Sequence, residues 1–145
     1  MKKIIRIFVI TMACMVSMSI LYDSACEAAF KYTPKTIEYK GNDVFTIVGE
    51  AVNTGNKTEQ LKEVVLLCFL KVKERDKATA DNALYNEVAD FTKQALYIKP
   101  GKTYRISINT STKGQKKMFE ITGDYDLTLV NVMINDREAW HDTTF

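Results

Sequence analysis

Along residues 64–72 apolar positions follow one another without a break except at Lys71. On a strand, Val64, Leu66, Cys68, Leu70 and Val72 share one face, and Val65, Leu67 and Phe69 share the other. Such a run predicts a central strand over residues 61–73, with neighbours on both edges and a second layer above it. A helix is the competing reading. The β-branched pair Val64-Val65 and the Lys71/Lys73 alternation favour the strand.

The remaining pattern is also short and strand-like. Residues 30–40 contain Pro34, which has no N–H for a ladder, so they predict an edge strand or lead-in. Gly41-Asn42-Asp43 is a turn cluster. Residues 44–52 form a strand with Phe45, Ile47, Gly49 and Ala51 on one face. The loop at residues 53–57, with Gly55 free to take a positive φ, joins it to residues 61–73 as an antiparallel pair. Residues 74–82 are a charged loop. Residues 82–91 fit either an amphipathic helix (Leu84, Val88, Phe91) or a strand (Tyr85, Glu87, Ala89, Phe91), and the surroundings favour strand. A short strand over residues 94–98, a Pro100-Gly101 turn and an alternating strand over residues 103–109 follow. Residues 109–117 read as an exposed polar loop and residues 118–121 as a brief pairing. Residues 125–134 are the last strand, with a phase shift between Leu129 and Val130 that signals a bulge or two buried faces. Residues 135–145 read as a polar tail. About seven strands separated by turn signals predict an all-β antiparallel sandwich.

The first 28 residues stand outside this pattern. Lys2, Lys3 and Arg6 precede a mostly apolar, uncharged run, and the segment ends in small residues around Cys26-Glu27-Ala28. That order resembles a secretory signal peptide, with cleavage expected after Ala28. An uncleaved anchor is the alternative, although the run is short for a membrane span. Lipid attachment at Cys26 is a further alternative, disfavoured because Asp23 occupies a place where the bacterial lipobox has an aliphatic residue. The expected organisation is a signal peptide over 1–28 and one sandwich domain with its polar tail over 29–145. The expected location is secreted or periplasmic, within the cell envelope, with no membrane insertion of the mature chain.

Composition changes little in this picture. The chain of 145 residues carries 20 basic and 18 acidic side chains, interspersed, for a net charge of +2. No basic block points to nucleic acid. Of the three cysteines, only Cys68 lies beyond the leader, so the mature chain has no internal disulfide to form, and its stability must come from a packed core.

Candidate chemistry is sparse. The one histidine, His141, lies beside Asp142 and near Asp136, a poor set for a base–nucleophile pair or a metal. Cys68, between Leu67 and Phe69, reads as a small buried hydrophobe rather than a reactive thiol. Asp124 with Asp126, and Asp76 with Asp81, are carboxylate pairs without a calcium-loop pattern. Asn56-Lys57-Thr58 and Asn109-Thr110-Ser111 match the glycosylation triplet and are expected to stay unmodified. No catalytic, cofactor or metal residue is assigned, and no cofactor is expected.

The segment Gly49-Glu50-Ala51-Val52-Asn53-Thr54-Gly55, the apolar strand after it, and Leu96-Tyr97-Ile98-Lys99-Pro100-Gly101-Lys102-Thr103 resemble the bacterial FxLYD-type immunoglobulin-like modules. The resemblance covers about residues 43–109 and departs at the naming motif, where Phe69 is followed by Leu70-Lys71-Val72. It implies an immunoglobulin-like fold and a cell-envelope setting, with no catalytic residues to carry over. The function expected is a non-enzymatic module that binds a protein or an envelope polymer. A secreted protease inhibitor is the alternative; of the chagasin-type loops only Asn53-Thr54-Gly55 has a counterpart here.

Overall fold

A computed structural model describes residues 29–72 and 83–144. They form nine strands: β1 Phe30–Gly41, β2 Val44–Asn53, β3 Glu59–Leu61, β4 Glu63–Val72, β5 Leu84–Asp90, β6 Leu96–Ile98, β7 Thr103–Ser111, β8 Tyr125–Ile134 and β9 Arg137–His141. One short α-helix, α1, spans Lys113–Met118, and a single 3-10 turn spans Thr92–Gln94. All pairings are antiparallel. They give a three-stranded sheet β1-β2-β7, a four-stranded sheet β5-β4-β8-β9 and a small β3-β6 ribbon. The architecture is an all-β sandwich. The expectations for residues 1–28 and for the loop at residues 74–82 lie outside the described residues.

β4 is a central strand, between β5 and β8, and its register is the one its apolar rows predict. Val64, Leu66, Cys68 and Leu70 are fully buried, while Val65, Leu67 and Phe69 are half-buried on the outer face. The expected pairing of residues 44–52 with this strand is not what forms. β2 instead lies between β1 and β7 in the opposite sheet. Both runs are apolar on two faces because each is the centre of its own sheet, so each already has its two neighbours. The chain crosses between the sheets through β3, which pairs with β6.

The second half of the chain departs further from the polar-loop reading. β7 continues to Ser111, and Thr110 and Thr112 are buried rather than exposed. Helix α1 follows, and residues 118–121 close it instead of pairing as a strand. Ile121 N–H bonds to Lys116 O and Glu120 N–H to Lys117 O, with Glu120 at φ 53°. This is a Schellman closure with glutamate at the left-handed position where glycine is usual. The bulge in β8 is present: Leu67 pairs with Asn131 and Cys68 with Leu129, leaving Val130 extra. The supposed tail is not free, because β9 pairs with β8. Asn135 and Asp136, at φ 51° and 64°, make a two-residue hairpin turn of the same type as Asn42 and Asp43, at φ 54° and 58°. β5 is a strand, which settles the helix alternative over residues 82–91 for its described part.

Two contacts explain residues that hydrophobic pattern alone does not. Asn53, fully buried, donates from Nδ2 to Ile98 O at 2.7 Å and Lys57 O at 2.8 Å, and its Oδ1 accepts from Gly55 N–H at 2.9 Å. That amide shapes the loop, and Gly55 does not adopt a positive φ. On β1, the buried Tyr32 ring lies over Gly49 of β2; a Cβ there would sit 2.1 Å from the phenol, so only glycine fits. The Tyr32 hydroxyl has no hydrogen-bond partner.

Asn53→Ala leaves buried carbonyls without donors and should cost roughly 3 kcal/mol. Tyr32→Phe removes an unpartnered hydroxyl and should be neutral or stabilising by up to about 1 kcal/mol. Denaturant midpoints of the two variants test both statements. A Tyr32→Phe loss as large as that of Asn53→Ala would show that the phenol has a partner.

Candidate functional site

The chemistry-bearing side chains gather at the end of the sandwich opposite Asn53. Here the β1–β2 turn, the start of β8 and helix α1 meet around a cleft of about 300 Å³. Tyr39, Asp43, Phe45, Lys116, Gly123, Asp124, Tyr125 and Asp126 line it. Local sequence explains the positions. Tyr39 and Phe45 are cross-strand partners on either side of the turn, their ring centroids 5.1 Å apart. Tyr125, first residue of β8, brings its ring to 5.9 Å from Phe45.

A hydrogen-bonded chain fixes this end. Thr112 N–H donates to Asp43 O at 2.8 Å. The Tyr125 hydroxyl donates to Asp43 Oδ1 at 2.7 Å. The buried Thr112 hydroxyl lies against both the Tyr125 hydroxyl and Asp43 O. Because Tyr125 gives its one proton to Asp43, Thr112 is the donor within the Thr112–Tyr125 pair, giving a directed chain Thr112 to Tyr125 to Asp43. Lys116 Nζ stands 3.4 Å from Asp43 Oδ1 and 5.3 Å from the Tyr125 ring centroid.

These contacts set the charge states. The bond from Tyr125, together with Lys116, holds the Asp43 carboxyl below its ordinary value. Burial pushes the Tyr125 hydroxyl up to about 12, and the Asp43 carboxylate adds to the rise. At neutral pH the pair is therefore a carboxylate held by a neutral phenol.

The residues singled out in the sequence are spread over the fold. Asp124 and Asp126 do meet at this cleft. Asp76 and Asp81 lie outside the described residues. Among the described residues no group of three or more His, Cys, Asp or Glu side chains is placed to hold a metal ion. His141 is on β9, exposed, with Nδ1 2.9 Å from Glu138 Oε1, and Glu138 also accepts from Asn131 Nδ2 at 2.9 Å. Asp142 is tied to the Thr144 backbone and hydroxyl, and Asp136 to the hairpin turn. Trp140 packs against the core.

Cys68 is buried, and burial pushes its thiol up to about 12 with the Glu87 charge contributing, so it is a neutral thiol at physiological pH. The Asn56-Lys57-Thr58 triplet is in a loop, as expected. Asn109-Thr110-Ser111 is instead within β7, with Thr110 buried and bonded to Glu87 Oε2 at 2.6 Å and to the Tyr85 hydroxyl at 3.2 Å.

Asp43, Tyr125 and Lys116 are not legible as a set, because Asp43 lies more than 70 residues before the other two and the three carry no motif spacing. The one signal was Asp43 itself, in the Gly41-Asn42-Asp43 turn. Among the described residues no helix is long and apolar enough to cross a membrane. No known family model matches the chain, and no curated protein shows significant similarity to it.

Acid should loosen this end of the fold first. A carboxyl with a depressed folded pKa stabilises the native state above its unfolded value, near 3.8, and the contribution disappears as pH falls through the folded value. The melting-temperature gap between the parent chain and Asp43→Asn should accordingly be largest near neutrality and close under acid. Asp90 and Asp142, also held low, are common to both chains and drop out of the difference. A gap that stays constant to low pH would contradict the assignment.

Proposed function

We propose that the protein is an exported, non-enzymatic binding module of the bacterial cell envelope, and that its ligand seat is the cleft between the β1–β2 turn and β8. The observation that carries this reading is the pairing of an aromatic wall with a carboxylate rim on a fixed frame. Tyr39 is 59% exposed, while Phe45 and Tyr125 back it. Asp43, Asp124 and Asp126 face the same cleft, and the cation there, Lys116, is engaged with Asp43. An exposed aromatic face accepts the C–H face of a ring, and carboxylates accept from hydroxyl or ammonium groups. That combination suits a sugar or amino-sugar unit of an envelope polymer.

Neither Cys68 nor His141 lines the cleft. The leader-like residues 1–28 and the resemblance over about residues 43–109 support export and an envelope setting. Asn53 and the Pro-Gly turn are joined directly: the Asn53 side chain bonds Ile98 O, and Gly101 N–H bonds Asn53 O at 2.8 Å. The spacing between the asparagine and the Pro-Gly turn thus has a physical reason in this chain.

Calorimetry with soluble cell-wall oligosaccharides, together with pull-down on insoluble wall polymer, tests the reading. Tyr39→Ala should weaken binding by about tenfold, the worth of one ring contact, with only a modest fall in melting temperature from the lost packing on Phe45. Binding that is indifferent to Tyr39→Ala and to Asp124→Asn would remove the cleft from consideration. Recovery of a trapped protease in place of a polymer would favour the inhibitor.

A further inference from the structure

The two packed sheets have four edges, and three are protected against pairing with another chain. β1 carries Lys31, Pro34, Lys35 and Lys40, and its register is broken after Pro34 and after Tyr39. β9 is five residues long and irregular beside Val132/Met133. β7 offers only polar side chains outward: Thr103, Arg105, Ser107, Asn109 and Ser111 are exposed. Lysine, proline, bulges and short length are the usual devices that blunt an edge.

β5 has no lysine, proline or bulge, and its charges are Glu87, turned inward to Thr110, and Asp90 at its end. It contains no arginine either, and its register with β4 is unbroken. Leu84 and Val88 are 41% and 54% exposed on its outer face. The direction of its backbone groups follows from two bonds. Ala83 O accepts from Leu70 N–H, and Phe91 N–H donates to Lys62 O, so the odd positions point at β4. With a period of two, Leu84, Asn86, Val88 and Asp90 turn their N–H and C=O groups to the open edge. Among the described residues no backbone bond reaches that edge.

We propose that β5 is the interface of a two-fold symmetric dimer in which the β5 strands of two copies pair antiparallel about Asn86. Pairing must keep each side chain on its own face, so outward positions meet outward positions. A register centred on Glu87 would set that carboxylate opposite its own copy, and Leu84 opposite Asp90. Like charges directly opposed are destabilising. Centring on Asn86 avoids both. Leu84 then faces the partner's Val88 on either side of the axis, Tyr85 faces Glu87, and the two Asn86 amides face one another as donor and acceptor.

Leu84, Asn86 and Val88 each exchange both backbone bonds in this register. The apolar row also becomes continuous across the axis, because Leu84 pairs with Phe69 and Val88 with Val65 inside each copy. An isologous contact of this kind is closed and does not propagate into a fibre.

Sedimentation equilibrium of the protein as recovered from its exporting host should show a monomer–dimer equilibrium. Val88→Lys, at an exposed site, should keep the circular dichroism spectrum and weaken self-association at least about tenfold. Asn86→Cys should give a disulfide-linked dimer on mild oxidation, beyond anything the parent chain shows, because opposed hydrogen-bonded positions lie about 5.5 Å apart. Val88→Cys, displaced from its own copy along the strand, should not. A chain that sediments as a monomer at every concentration, a dimer unaffected by Val88→Lys, or crosslinking at Val88→Cys instead of Asn86→Cys would overturn the proposal.

Discussion

The amide of Asn53 is the constraint on which one whole end of the sandwich rests. It is fully buried, and each of its polar atoms is used: two donors reach Ile98 O and Lys57 O, and the acceptor takes Gly55 N–H. Its own backbone bonds to Lys102 O and receives Gly101 N–H. These bonds end β2, bend the loop after it, and bring β6 and the start of β7 to the same place. A carboxylate offers no donors to two carbonyls, and leucine offers none to anything. Only an amide satisfies all three groups at once.

Thr110 and Thr112, the other buried polar residues among those described, serve in the same way at other joints. Thr110 ties β7 to β5 through Glu87 and Tyr85, and Thr112 ties the end of β7 to the β1–β2 turn and to β8. Between these joints the core is hydrophobic and made by rows of period two. The row Val64, Leu66, Cys68 and Leu70 faces Tyr32, Ile47, Ala51, Ile106 and Ile108 of the opposite sheet within one cluster. Close approach at Gly49 lets the Tyr32 ring enter that cluster, at the cost of a buried hydroxyl without a partner. Burial, with Cys68 nearby, pushes that phenol up to about 12, so it remains neutral.

How much of this was legible depended on whether a residue's signal was local. The central strand, its inward face, the edge character at Pro34, the bulge beside Val130 and the Pro-Gly turn all follow from neighbours in sequence, and all are present. Sheet membership was not local. β2 and β4 have the same two-faced apolar pattern, and nothing in either run says that each has other partners. The tail was misread although Asn135-Asp136 repeats the Asn42-Asp43 turn signal; the polar residues after it hid a five-residue strand. Helix α1 was missed because its end uses Glu120 instead of glycine, and because the Thr112 hydroxyl serves Tyr125 rather than capping the helix. The cleft could not be read at all, since Asp43 and Tyr125 meet only through the tertiary fold.

The groups that shape the cleft are also the groups that close its end of the sandwich, so under the proposed function occupancy would be coupled to folding. Asp43 holds the β1–β2 turn to Thr112 by backbone and to Tyr125 by side chain, so β7, α1 and β8 are all tied to the same carboxylate. A ligand that engages Tyr39 and the carboxylate rim binds a surface that does not exist in the unfolded chain, and mass action then stabilises the native state in proportion to its concentration. At the Asn53 end the polar groups of the amide satisfy one another internally. The asymmetry follows from the chemistry of the two joints. An amide with three partners leaves nothing for a ligand to bond, whereas the other joint sets carboxylates beside an exposed aromatic ring. Both joints hold the fold, and under the proposed function the one at the β1–β2 turn would also carry recognition.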